Sequence, residues 1–307
     1  MPERDFIARL LAPLATSAAA RGLIDDAAVW APPLGRNLVL THDVLAAGVH
    51  YIGDEPPSDV AWKLLAVNLS DLAAMAATPA GVLLGLGLSA AEDDSWREAF
   101  VAGLGRALES FGVSLWGGDT VTGLDRAVLG CTAVGWAEPG KAMGRKGAVP
   151  GDELWVSGTI GDAGLGLAIA RGEAPFDKAL LNRFRRPTPR LALGAALGGV
   201  ASAGMDVSDG LLIDAARLAA ASGVALAIDL DAVPLSRPAA NLDELLARVT
   251  AGDDYELLFS LPAGTDARGL CTTPVTRIGR VLPGAGLTLR FAGQPVPLPA
   301  RLGWEHG

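Results

Sequence analysis

Six short acidic stretches carry most of the chemistry this sequence could support. They are Asp25-Asp26, Thr41-His42-Asp43, Asn68-Leu69-Ser70-Asp71, Gly117-Gly118-Asp119-Thr120, Asp206-Val207-Ser208-Asp209-Gly210 and Gly252-Asp253-Asp254-Tyr255-Glu256. Taken singly, a carboxylate beside glycine or serine is an ordinary cap or turn residue. Taken together, hard oxygen ligands beside glycine-rich backbone are what a divalent cation and a phosphate chain require. Five of the six adjoin an expected strand end or turn. Asp71 is the exception: it lies in the apolar run 64–75, where a carboxylate is costly unless a cation or several donors meet it. A magnesium ion would meet that cost; pairing with Lys63 or a backbone donor is the alternative. Asp206-x-Ser208-Asp209-Gly210 opens an expected helix over 211–221 and so sets two carboxylates and a hydroxyl at a helix N-terminus. Beside Asp71 and Asp119 it reads as one wall of a metal–triphosphate site.

Other nucleotide chemistries are excluded by their missing signatures. There is no G-x-x-x-x-G-K-[ST], no H-R-D or D-F-G set and no G-x-S-x-G elbow. The run 161–166 lacks the full spacing of a dinucleotide loop, and its small residues suit close helix packing. Two cysteines, Cys131 and Cys271, cannot build a metal cage, and Cys131 sits in an apolar run that reads as core. A net charge of −9 with no basic stripe argues against a nucleic-acid partner. Apolar residues make up 50% of the chain, yet no apolar stretch reaches the ~18 residues needed to cross a bilayer. Over residues 1–20, Glu3 and Asp5 spoil the basic leader of a signal peptide and Pro13 interrupts its apolar run, while the spacing suits an amphipathic helix. The expectation is a cytoplasmic protein with no membrane contact.

The elements that must position these residues alternate along the chain. The patterns predict strands over 37–45, 81–88 and 126–136, with helices over 58–75 and 94–111. The strand 126–136 is apolar on both faces, so it is expected to be the open sheet edge or face that a second copy would cover. A segment rich in Gly, Lys, Arg and Pro over 138–151 marks a junction, giving domains 1–145 and 146–307. In the second half, strands are expected over 153–157, 224–229, 255–260 and 275–281. Helices are expected from Gly161, from Pro187 to Leu197, over 211–222 and over 241–249. The fold class is a two-domain α/β (α+β) protein.

With its motifs placed, the sequence resembles the thiamine-monophosphate kinases, members of the aminoimidazole-ribotide-synthetase-like (PurM-like) ATP-binding superfamily. The resemblance runs from Asp25 to Trp304 and rests on Asp25-Asp26-Ala27-Ala28-Val29, the Thr41–His50 stretch, Lys63–Met75, Gly117–Thr120, Met205–Leu211, Asp253-Asp254-Tyr255-Glu256-Leu257 and Gly303-Trp304. Two positions depart from the pattern: Ile24 where glycine is usual, and His42 where threonine is usual.

That resemblance implies an N-terminal sheet that pairs into a barrel across a homodimer, followed by a C-terminal α/β domain. It implies ATP-dependent phosphorylation of thiamine monophosphate to thiamine diphosphate by direct in-line transfer. No catalytic acid–base residue is implied, transfer resting on positioning and metal ions. By family position, Asp26, Thr41, His42, Asp43, Asp71, Asp119, Asp206 and Asp209 would bind several magnesium ions. Gly118, Asp119, Arg145 and Ser208 would contact ATP, and His50, Asp253 and Trp304 would hold thiamine monophosphate.

Sister enzymes are the nearest rivals. Selenophosphate synthetase would want a reactive Cys in an N-terminal arm, and residues 1–24 have none. The hydrogenase-maturation member carries a terminal Cys where this sequence reads Trp304-Glu305-His306-Gly307. A non-catalytic metal- or nucleotide-binding dimer is the rival of a different class.

Overall fold

The computed structural model describes residues 1–305. The chain divides into two compact units: Met1–Leu72 with Thr78–Pro139, and Ala73–Ala77 with everything from Gly140 onward. Among the described residues no helix is long and apolar enough to cross a membrane.

The first unit contains α1 (Glu3–Phe6), β1 (Asn37–Ala46), α2 (Pro57–Ala74), β2 (Thr78–Ser89), α3 (Asp94–Phe111), β3 (Ser114–Leu124) and β4 (Val128–Ala137). Its sheet has the order β1-β4-β2-β3, with β4 antiparallel to both neighbours and β2 parallel to β3. Leu64, Leu65, Leu69 and Leu72 of α2 are fully buried, each such side chain worth about 1.5–3 kcal/mol of transfer free energy. The helix pair packs closely because Gly103 has no side chain: a Cβ there would lie 2.3 Å from the Ser58 Cα. The amphipathic helix expected over 1–20 forms over 3–14 and does not continue to residue 20. Its first part forms as one helical run, the α turn Glu3–Phe6 passing into a π segment over Ile7–Leu11 and a 3-10 turn over Ala12–Leu14 that contains Pro13. The run ends at Ala15, and a separate 3-10 stretch over Ala18–Leu23 is broken by left-handed Arg21 and Gly22.

The expected strand 126–136 forms as β4, but it is the interior strand between β1 and β2, with Leu129, Cys131 and Ala133 at 0% exposure. The open apolar row lies instead on its neighbour β1, where Leu38, Leu40 and Val44 are exposed on alternate positions.

The second unit contains β5 (Glu153–Ser157), α4 (Asp162–Ala170), α5 (Lys178–Arg185), α6 (Leu191–Leu197), β6 (Ala203–Val207), α7 (Leu211–Ser222), β7 (Ala225–Asp229), α8 (Leu242–Val249), β8 (Glu256–Leu261), β9 (Val275–Leu282), β10 (Gly286–Phe291) and β11 (Gln294–Val296). They build a mixed seven-stranded sheet of order β11-β10-β7-β9-β5-β8-β6. One core joins the sheet to α7 through Val156, Leu211, Leu218, Leu226, Leu258 and Ile278. α7 is bounded by Gly210 and by the left-handed Gly223, so its N-terminus starts directly after the Asp206–Asp209 turn.

Candidate functional site

In the first unit, Asp25, Asp26, His42, Gly118, Asp119 and Thr132 line one cavity of ≈ 630 Å³. Asp119 stands opposite Gly85 in the middle of β3 rather than at a turn, and it accepts the Thr120 N–H at 2.9 Å. Gly118 is required where it sits: a Cβ would lie 2.1 Å from the Leu84 carbonyl oxygen. The His42 Nδ1 is 2.8 Å from the Thr132 hydroxyl, and the ring fits because Gly130 beneath it has no Cβ.

The strand period of two turns Thr41 and Asp43 to the face of β1 opposite His42. There the Thr41 hydroxyl donates to the Asp71 carboxylate on α2. The Asp43 N–H donates to Asn68 Oδ1 at 2.9 Å, and Asn68 in turn holds the Leu64 carbonyl. The structure thus brings Asp26, His42 and Asp119 to one cavity and joins Thr41 to Asp71 on the other face of the strand. Among the described residues no group of three or more His, Cys, Asp or Glu side chains gathers as a metal cluster. Apart from the His42 imidazole, the donors are carboxylates and a hydroxyl, a set suited to a hard divalent cation rather than a soft metal.

His50 sits in the loop between β1 and α2. Its Nδ1 accepts the Ala46 N–H at 3.1 Å, and its carbonyl accepts the Lys63 ammonium at 3.0 Å.

In the second unit, Asp206 is buried at the end of β6. The backbone N–H groups of Ser208 and Asp209 donate to Asp214 at 3.1 and 3.0 Å, and Arg217 bridges Asp209 at 2.5 Å and Asp214 at 2.8 Å. Burial pushes the Asp214 carboxyl up to about 6, against the pull of the Asp209 N–H and Arg217. Asp214 and Arg217 were not singled out in the sequence. Their only signal is an acid in the first turn of α7 with an arginine three residues on.

The carbonyls of this turn also carry the other expected residues of the unit. The Asp253 N–H donates to Ser208 O and the Tyr255 N–H to Val207 O, both at 2.8 Å, while the Trp304 N–H donates to Asp209 O at 2.9 Å. Asp253 and Tyr255 both have positive φ, 69° and 51°, and the Tyr255 hydroxyl reaches the Asp253 carboxylate at 3.2 Å. Between them, Asp254 accepts the N–H groups of Gly161 and Ala163 at 2.6 and 3.2 Å. Complete burial pushes its carboxyl up to about 8.

Next along the chain, Glu256 accepts from Ser157 at 2.6 Å, Arg183 at 2.7 Å and Arg190 at 2.6 and 2.5 Å. Burial alone would raise its carboxyl, but the two guanidinium groups hold it below the usual range. Arg145 is exposed on a loop fastened by Ser222. That hydroxyl donates to Arg145 O at 2.8 Å and accepts the Gly147 and Ala148 N–H groups at 3.1 and 3.2 Å.

Residues 24–137 match the AIR synthase related protein N-terminal domain, and residues 149–292 match its C-terminal domain. The thiamine-monophosphate kinase of Caulobacter vibrioides is 43% identical over 320 aligned positions, covering 99% of this chain and 91% of that protein. The chain belongs to the thiamine-monophosphate kinase family. A solved thiamine-monophosphate kinase from Stenotrophomonas maltophilia superposes with a TM-score of 0.83 at 38% identity, covering 96% of this chain and 98% of that one. A structure described as AaThiL complexed with AMPPCP and TMP superposes with a TM-score of 0.79 at 32% identity, covering 99% and 97%. These likenesses span both units of the chain.

Proposed function

We propose that this protein transfers the γ-phosphoryl group of ATP to the phosphate of thiamine monophosphate, giving thiamine diphosphate. The observation that carries the reading is 43% identity, over 99% of the chain, to a thiamine-monophosphate kinase. The related AaThiL complexed with AMPPCP and TMP supports both substrates.

Such a transfer needs in-line placement of two anions and neutralisation of their charge, with little covalent work by side chains. Asp26, Thr41, His42, Asp43, Asp71, Asp119, Asp206 and Asp209 would hold several magnesium ions. Those ions would supply charge neutralisation to the phosphate oxygens. Gly118, Asp119, Arg145 and Ser208 would contact ATP, Gly118 by leaving its backbone open where any Cβ would clash. His50 and Asp253 would hold the acceptor, and Trp304, 56% exposed, offers a face for stacking on its cationic ring.

A cytoplasmic homodimer is part of this reading. The exposed row Leu38, Leu40 and Val44 on the edge strand β1 is the kind of surface a second copy would cover. An active species with the sedimentation mass of one chain would remove the dimer from the proposal. The activity is tested by ADP release with thiamine monophosphate and magnesium. Turnover should need both and fall to near background in Asp71→Asn and Asp209→Asn with the fold intact. Nucleotide binding without any turnover would favour the non-catalytic alternative.

A further inference from the structure

The loop after β1 closes on itself around His50. The N–H groups of Val49 and His50 both donate to the Ala46 carbonyl, at 3.1 and 3.0 Å, and the Gly48 N–H donates to Tyr51 O at 2.7 Å. The Ala46 N–H then returns to the imidazole, donating to Nδ1 at 3.1 Å. Both backbone polar groups of Ala46 are therefore spent on residue 50. A neutral imidazole has one N–H and one lone pair, so an N–H donor arriving at Nδ1 requires the lone pair there and the ring proton on Nε2.

The remaining fastener comes from α2. Lys63 is 3% exposed, and its ammonium donates to the His50 carbonyl at 3.0 Å. A buried ammonium is expensive unless acceptors meet it. The His50 carbonyl is one of them, so the cost of burying Lys63 is tied to the backbone position of His50. The sequence gives no hint of this pairing, because Lys63 reads there only as a partner for Asp71.

We infer that Lys63 is a positioning residue for acceptor binding, clamping the His50 backbone so that the ring is held as its Nε2–H tautomer, a neutral N–H donor for a phosphate monoester. The functional half rests on the proposed role of His50 toward thiamine monophosphate. The other tautomer would turn a lone pair, rather than a donor, toward an anion made only of acceptors.

The tautomer is read directly from two-bond nitrogen–proton correlations on protein labelled with ¹⁵N-histidine at neutral pH. His50→Ala assigns the signal among the three histidines. In the wild-type protein His50 should show a pyrrole-type Nε2 and an unprotonated Nδ1. Lys63→Met should give a mixture of both tautomers and raise the KM for thiamine monophosphate about tenfold, with the KM for ATP unchanged. An Nδ1–H or doubly protonated His50 in the wild type overturns the clamp without any variant having to fold. So does a folded Lys63→Met protein that keeps both the wild-type pattern and the wild-type KM. If His50→Ala leaves the KM for thiamine monophosphate unchanged, the acceptor-contact reading fails, and the tautomer pattern separately decides whether the clamp stands.

Discussion

Replacing Glu256 by Gln tests the reasoning about the second unit most sharply, because the change removes a charge and leaves the shape. Glu256 has 0% exposure and accepts four hydrogen bonds, three of them from arginine. Removing one partner of a buried ion pair costs about 3–5 kcal/mol, since the remaining charge keeps its desolvation penalty. The side chains of Arg183 and Arg190 are 23% and 18% exposed, so water can reach part of what the carboxylate leaves. Gln also retains one acceptor oxygen. Both facts favour the low end, about 3 kcal/mol, which for a unit the size of the second one lowers its Tm by about 6–12 °C.

The assay is thermal and urea denaturation of the wild type, Glu256→Gln and Ser157→Ala. The serine variant, losing one hydrogen bond, should cost only about 1 kcal/mol. The carboxyl of Glu256 is held below its unfolded value, so its stabilising contribution is present above that value and is lost as pH falls through the folded one. The gap between wild type and Glu256→Gln should therefore close in acid, below the ordinary glutamate value of 4.5. A Glu256→Gln protein whose Tm lies within about 2 °C of wild type at neutral pH would refute the argument, showing that both arginines are satisfied without the carboxylate.

Three further outcomes follow from the same geometry. Asp254 is displaced upward, from 3.8 to about 8, so between those values the unfolded chain has released a proton that the folded chain keeps. Stability should then fall with rising pH across that window, by at most about 1.4 kcal/mol per pH unit, and Asp254→Asn should flatten the slope in pH-dependent denaturation. Ser222→Ala removes three hydrogen bonds from the Arg145 loop, and steady-state kinetics should show a several-fold rise in the KM for ATP with that for thiamine monophosphate unchanged. Trp304→Ala should raise the KM for thiamine monophosphate far more than that for ATP. Because Trp304 is half exposed, Tm should barely move; a fall in Tm alone would return it to a packing role.

Why some of this was legible in the sequence and some was not comes down to range. α3 is expected over 94–111 and forms over Asp94–Phe111, because its cap at Asp93, its apolar period and its stop at Gly112 are all local. β3 was missed as a strand because Gly117, Gly118 and Gly123 lower its intrinsic propensity. What makes it a strand is its parallel partner β2, whose Leu84 carbonyl lies where a Gly118 side chain would be. Asp119 consequently reads as a turn residue in the sequence and is a mid-strand residue in the fold. The acidic motifs were visible because each is contiguous; the residues that hold them were not. Ser222 fastens a loop 77 residues away, Arg183 reaches Glu256 across 73 and Gly161 donates to Asp254 across 93. No local pattern encodes such a pairing. The same limit explains the open strand. Hydropathy identifies 126–136 as apolar on both faces, but whether a strand is an edge depends on which others pair with it. Pairing sets β4 between β1 and β2 and leaves Leu38, Leu40 and Val44 facing outward. The surface that a second copy would cover is thus set by strand order, even though the residues that make it apolar are plain in the sequence.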